Sequence, residues 1–442
     1  MQHIAIVGNG IAGITAARHI RKNSDFEITV ISAESEHFWS RTALMYIYMG
    51  HMKYEHTKPY EDWFWEKNNI KLVYDFVEKV NTESKTISLK SGDPISYDKL
   101  ILATGAQPNK FGWPGQDLKG VSGMVSLQDL EYIEKYTEGI SSAAIVGGGL
   151  IGVELAEMLH SRNIKTTFLV REELFWDNVL PKQEAQMISD HIKTHGIDLR
   201  LQTDLKEILG DENGRVRAVV TGQGEEIPCQ FLGLTPGVHP NIDLAKASGI
   251  NVDKGILVNE YMETDTPDVF AIGDCAQRKA PVPGRGPIEQ VWYTGRMMGE
   301  TVAQTICGNK TAYSPGIWFN SAKFFDIEYQ TYGRVWNKLK DDEAEFYWQN
   351  PQEDIAIHCV MDKNNREFKG INTFGIRMRH EIFDQWLKNG VGLDYVISNL
   401  EAANFDPEFF SKYEDQIVDA YLSQFPDAKV ERKKRKKVLG IF

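Results

Sequence analysis

Gly8, Gly10 and Gly13 stand in the run GNGIAG, directly after the β-branched stretch HIAIV and at the head of the helical pattern IAGITAARHIRK. Glycines so spaced serve phosphate chemistry. The first permits a tight turn, the second lets a pyrophosphate approach the backbone, and the third lets helix and strand pack closely, while the helix N-terminus favours the anion. Ile11 and Ala12 fall between the second and third glycine, at the helix start. Glu34 closes the next strand pattern, FEITVIS, 21 residues after Gly13, where a carboxylate accepts the hydroxyls of an adenosine ribose. The construction returns in AAIVGGGLIGVELAE, with Gly147, Gly149, Ile151 and Gly152 before the strand pattern KTTFLV. Two dinucleotide-binding units in one chain imply two dinucleotides.

Two further turns belong to the same chemistry. In TDTPDVFAIGDCA an apolar strand ends at Gly273 and Asp274, which presents a carboxylate at the mouth of a parallel sheet. In YDKLILATGAQP another strand ends in the small-residue turn Ala103, Thr104, Gly105.

The elements that position these residues need several cores. A chain of 442 residues exceeds the size at which one hydrophobic core stops growing, and its 42% hydrophobic content is that of a globular protein. No apolar run approaches bilayer-spanning length, and the first strand begins too near Met1 for a signal peptide, so a cytoplasmic protein is expected. Cys229, Cys275, Cys307 and Cys359 have neither disulfide-framework nor metal-knuckle spacing, and no metal centre is expected. The net charge of -13 excludes nucleic acid as a general partner.

Taken in order, GxGxxG, ATG, a second GxGxxG followed by glutamate, and VFAIGD resemble the pyridine nucleotide-disulfide oxidoreductase superfamily of two-dinucleotide flavoproteins, over Met1 to about Pro315. The resemblance implies FAD on the first unit and the GD turn, and NADH or NADPH on the second. Gly8, Gly10, Gly13 and Glu34 would hold the FAD adenosine and pyrophosphate, Asp274 the ribityl chain, and Glu154 would lie near the nicotinamide. Arg41 and Gly237 join the expected cofactor-binding set. The superfamily's disulfide reductases carry a cysteine pair where this chain reads ESEHFWSRTALMYIYMGHM, so a dithiol route is excluded. That segment resembles instead the ferredoxin, rubredoxin and nitrite reductase flavoproteins and apoptosis-inducing factor, with Thr42-Ala43 in place of prolines and Tyr46 in place of a flavin-facing lysine. In the same branch the helix of PIEQVWYTGRMMGETVAQ begins at the flavin. Trp292, with Gln290 and Val291, either covers the ring or serves as a core aromatic.

Nicotinamide choice stays open. Arg171 at the end of TTFLVREELFW suits a 2′-phosphate, whereas Glu172 suits a free ribose; Gly152 inclines the reading to NADH. Hydride transfer between stacked nicotinamide and flavin needs positioning and dryness and no side-chain acid or base.

The expected fold is α/β: a discontinuous Rossmann-like FAD domain (1–112 and 246–316), a Rossmann-like NAD(P)H domain (113–245), and a smaller α+β interface-type domain (317–427) ahead of a basic tail (428–442). FNSAKFFDIEYQTYGRV, AEFYWQNP, DIAIHCVMD and FKGINTFGI read as strands. HEIFDQWLKNG and PEFFSKYEDQIVDAYLSQF read as helices, the second with Phe410, Tyr413, Ile417, Tyr421 and Leu422 on one face. The run AKVERKKRKK holds seven basic residues against one acidic, which reads as a solvated terminus or as a dock for an acidic partner or membrane surface. The expected function is transfer of electrons from NAD(P)H through FAD to a separate acceptor, a ferredoxin or rubredoxin-like protein. Alternatives are a peripheral NADH:quinone reductase and a redox-sensing interaction protein like apoptosis-inducing factor. A homodimer is compatible with the third domain.

Overall fold

The computed structural model describes residues 1–405 and 411–431. The chain divides into two compact units, Met1–Arg171 with Thr203–Pro315, and Glu172–Gln202 with the residues from Gly316 onward.

The first unit holds two parallel sheets. In one, the strands run in the order Val269–Ala271, Lys99–Leu102, His3–Val7, Glu27–Ser32, Ile70–Tyr74. Ile4 to Val7 are consecutively buried, the pattern of a central strand covered on both faces. The helix Ile11–Asn23 follows that strand and lies against the helix Trp292–Ile306. Gly299 makes the close crossing possible, since a Cβ there would stand 2.5 Å from the Ala12 carbonyl oxygen. The second sheet repeats the plan with Lys165–Leu169, Ser142–Val146, Leu232–Leu234 and Val121–Ser122, and the helix Leu150–Ser161 follows its central strand. Both glycine turns therefore join the predicted strand to the predicted helix.

The second unit is built on a five-stranded antiparallel sheet ordered Phe319–Phe324, Ile327–Gly333, Phe368–Phe374, Ala356–Asp362, Glu343–Gln349. The α/β expectation with a smaller α+β C-terminal part is met, and the structure shows that part's sheet to be antiparallel. The helices His380–Lys388 and Glu414–Gln424 contribute Phe383, Ile417, Val418 and Tyr421 to one core with Phe346, Phe368 and Ile371. The apolar stripe read from the sequence is thus used within its own unit. Tyr413 precedes that helix instead of lying in it, and Leu422 stays half-buried. Phe410 and the basic residues from Arg432 onward lie outside the described residues. Among the described residues no helix is long and apolar enough to cross a membrane.

Candidate functional site

Each glycine turn is formed by pressing a third strand's end against the first glycine. Gly8 has φ +113°, and a Cβ there would meet the Ala103 carbonyl oxygen at 2.1 Å; Gly147 has φ +123° and would meet the Thr235 carbonyl oxygen at 2.4 Å. Only glycine tolerates both the left-handed backbone and the contact. Ala103-Thr104-Gly105 and Thr235-Pro236-Gly237 thus occupy equivalent places in the two halves. The second glycines behave oppositely, because a Cβ at Gly10 or Gly149 meets nothing within 4 Å. Open space in front of a helix N-terminus is what a phosphate requires, so both turns fit a dinucleotide.

A cavity of 460 Å³ opens in front of the first turn, lined by Gly8, Gly10, Glu34, Arg41, Ala103, Thr104 and Gly105 among others. Seven residues singled out by sequence are therefore brought together there. Glu34 pairs with Arg41 and accepts a hydrogen bond from the Leu127 backbone N–H at 3.0 Å. The Ala103–Gly105 turn is held by Thr104 Oγ1, which donates to the Asn241 carbonyl at 2.7 Å, and by the Asn241 N–H, which donates to the Gly105 carbonyl at 2.9 Å.

Sequence reading missed other members of this wall, including Asn9, Asp75, Phe76, Ser126 and Asn241. Asn9 is buried and its amide donates to the Ser35 carbonyl at 2.8 Å, tying the glycine turn to the segment after Glu34. Its place inside GNGIAG was the one signal available. The others arrive from distant segments without a linear motif.

Ile11, Ala12 and Gly13 do not line the cavity; they form the packed root of the turn. Gly13 abuts the Gly8 carbonyl, where a Cβ would stand at 2.0 Å, and Gly273 has φ +73° with its missing Cβ 2.9 Å from Ala12 Cβ. Gly152 has the corresponding role in the second turn, 2.4 Å from the Gly147 carbonyl oxygen by the same measure. Asp274 follows in a single helical turn, Gly273–Cys275. Burial pushes its carboxyl up to about 6, against the opposing influence of the Arg41 guanidinium. Cys275 is fully buried, with Sγ 3.3 Å from the Ile272 carbonyl, in keeping with a small packing residue. Trp292 is the first residue of its helix, half-buried, and meets Tyr293 edge-on at 5.5 Å. Beside it the buried Gln290 Nε2 has no hydrogen-bond partner in the protein, a donor left for a ligand acceptor.

In the second half, Glu154 lies on the helix Leu150–Ser161, one turn past Gly149 and beyond Ile151. Burial, reinforced by the Glu157 carboxylate, pushes its carboxyl up to about 7. Arg171 is exposed just past the strand Lys165–Leu169, and Glu172 is half-buried.

This paired arrangement agrees with the family match. Residues 2–299 match the pyridine nucleotide-disulphide oxidoreductase family, and the chain belongs to it. The nitrite reductase [NAD(P)H] of Bacillus subtilis is 31% identical over 63% of this chain, which spans only 35% of that relative's length. The rubredoxin-NAD(+) reductase of Ectopseudomonas oleovorans is 28% identical over 70% of this chain and 80% of its own. Among solved structures, the covalent putidaredoxin reductase-putidaredoxin complex matches with a TM-score of 0.78 at 20% identity, over 95% of this chain and 98% of that one. That likeness concerns the fold.

Proposed function

We propose that the chain is an FAD-dependent NAD(P)H oxidoreductase that passes electrons from nicotinamide through flavin to a separate small redox protein. The observation that carries this reading is the pairing of two glycine turns, each with its second glycine open to a ligand, in a chain whose family implies FAD and NAD(P)H. Bound together, the two cofactors supply hydride acceptance and onward electron release.

The protein's own work is binding and orientation. Gly8, Gly10 and Gly13 shape the phosphate site of the first turn, Glu34 and Arg41 its ribose end, and Ala103, Thr104 and Gly105 the facing wall. Asp274 serves the polar chain between the phosphates and the ring, while Gln290 and Trp292 serve the ring. Gly147, Gly149, Ile151 and Gly152 form the nicotinamide nucleotide's phosphate site, with Gly237 at its facing turn. Glu154, whose carboxyl burial pushes up to about 7, would lie near the nicotinamide and be about half protonated at neutral pH. Arg171 and Glu172 offer opposite answers at the adenosine ribose. Swapping Arg171→Glu and Glu172→Arg and comparing kcat/KM for NADPH and NADH identifies the residue that discriminates.

A small redox protein as acceptor agrees with the reductases named above. Steady-state assays with ferredoxin, rubredoxin, a soluble quinone and oxygen test it: fastest turnover with a ferredoxin or rubredoxin supports it, and fastest turnover with quinone or oxygen rejects it.

A further inference from the structure

Within the second unit, His191 in the last turn of the helix Lys182–Thr194 and His195 at the cap of its C-terminus, four residues apart, both stand against Asp326. Asp326 lies in the two-residue turn between strands Phe319–Phe324 and Ile327–Gly333. His191 Nε2 is 2.6 Å and His195 Nε2 3.5 Å from the same Asp326 Oδ1. The three ligand atoms lie within 4.8 Å of one another.

What distinguishes this cluster from an ordinary ion pair is the state of the other ring nitrogens. His191 Nδ1 contacts Asp354 Oδ2 at 2.7 Å, and His195 Nδ1 contacts the His191 carbonyl oxygen at 3.0 Å. Both acceptors require N–H at Nδ1. Both rings are thereby set with Nε2 facing Asp326, and the Asp354–His191 contact is the carboxylate–histidine pairing that orients metal ligands. The turn is held toward them: Phe325 adopts φ 56°, unusual for a bulky residue, and its ring stacks on His195 at 4.3 Å.

We propose that His191, His195 and Asp326 form a binding site for a first-row divalent transition metal, with zinc the ion whose coordination they match. Ligands of a tetrahedral zinc stand about 3.3 Å apart, close to the His195–Asp326 separation. The shorter His191–Asp326 contact opens by rotation of Asp326, whose side chain is 75% exposed, whereas His191 is 7% exposed and fixed. The entering cation replaces the hydrogen shared by His191 Nε2 and Asp326 Oδ1, which leaves to solvent. Three protein ligands leave the fourth position to water. The bound ion would pin the helix to the turn. Cysteine spacing offers no metal centre in this chain; this one is assembled from a helix and a turn far apart in sequence.

The test uses untagged, full-length, flavin-loaded protein stripped with a chelator and titrated with Co(II) and Zn(II). The expected result is one Co(II) per chain with ligand-field absorption of imidazole coordination, displaced by Zn(II). His195→Ala and Asp326→Asn should each weaken binding by about 10-fold or more, and Asp354→Asn by about 10-fold to 100-fold. His56→Ala, at a histidine of the other unit, should change nothing. Absence of one-per-chain uptake by the wild type overturns the proposal, as does unchanged affinity in Asp326→Asn. Should His195→Ala fail to fold, judged by circular dichroism and flavin content, the exposed Asp326→Asn carries the test alone.

Discussion

Glu34 Oε1 accepts a hydrogen bond from the Leu127 backbone N–H at 3.0 Å, while its second oxygen pairs with Arg41. Leu127 opens the helix Leu127–Thr137, whose Ser126 cap accepts from the Asp129 N–H at 3.1 Å. The carboxylate thus sits at a positive helix end and is held at the cavity wall from two sides. Glu34→Gln keeps its shape but removes charge-assisted hydrogen bonds of about 1.5–3 kcal/mol each. The expected outcome is an FAD dissociation constant raised about 10-fold to 100-fold, measured by equilibrium dialysis of the deflavinated protein.

The two glycines of the first turn should fail in different ways. Gly8→Ala drives a methyl into the Ala103 carbonyl and prevents a folded first unit from accumulating, because contact and backbone both forbid it. Gly10→Ala meets no protein atom within 4 Å and sits at an ordinary φ of -67°. It should leave apoprotein melting nearly unchanged yet weaken flavin retention by about 10-fold, equivalent to about 1.4 kcal/mol. Thermal melting and flavin content, measured together, separate these effects.

Much of this was legible because the glycine turns are local. Strand, turn and helix in Ile4 to Asn23 and in Ala143 to Ser161 follow from neighbours in sequence, and Glu34 follows from the length of one strand–helix–strand unit. Asn241, Asp75 and Ser126 join the cavity only through tertiary packing, and no period or motif announces them. The same holds for His191 and Asp326. Their helical spacing and turn position could each be read separately, but their meeting could not. Glu172–Gln202, which follows the strand–helix–strand of the second glycine turn in sequence, groups in space with the C-terminal residues, a long-range outcome that hydrophobic patterning does not encode.

Glu154 gives a pH signature. Its carboxyl rises from 4.5 to about 7 in the folded protein, so the folded state binds more protons than the unfolded state across that interval. Its contribution to stability is lost as pH rises from 4.5 toward 7. Glu154→Gln should therefore stabilise the protein at about pH 8 and change little at about pH 4.5. Chemical denaturation of both proteins at the two pH values is the check; a pH-independent difference would contradict the assignment.

His358 gives the same sign in a more alkaline window. Fully buried, it contacts Glu184 Oε1 and Glu345 Oε2 at 3.0 Å each, and Glu184 also accepts from Asn372 Nδ2 at 2.9 Å. Although burial alone would lower the imidazole, the two carboxylates raise it to about 9 from 6.5. The stabilisation is complete below pH 6.5 and lost as pH rises through about 9. His358→Ala leaves Glu184 buried without its cation and should cost about 3–5 kcal/mol at about pH 6. Urea unfolding across the pH range should show that cost shrinking on the alkaline side.

The central claim, that two nucleotide sites cooperate in one electron path, is tested most directly by anaerobic titration of the purified flavoprotein with NADH and NADPH in parallel. The expected result is bound flavin whose visible absorbance is bleached by at least one of the two nucleotides. Protein that retains no flavin when supplied with FAD, or flavin that neither nucleotide bleaches, would contradict it.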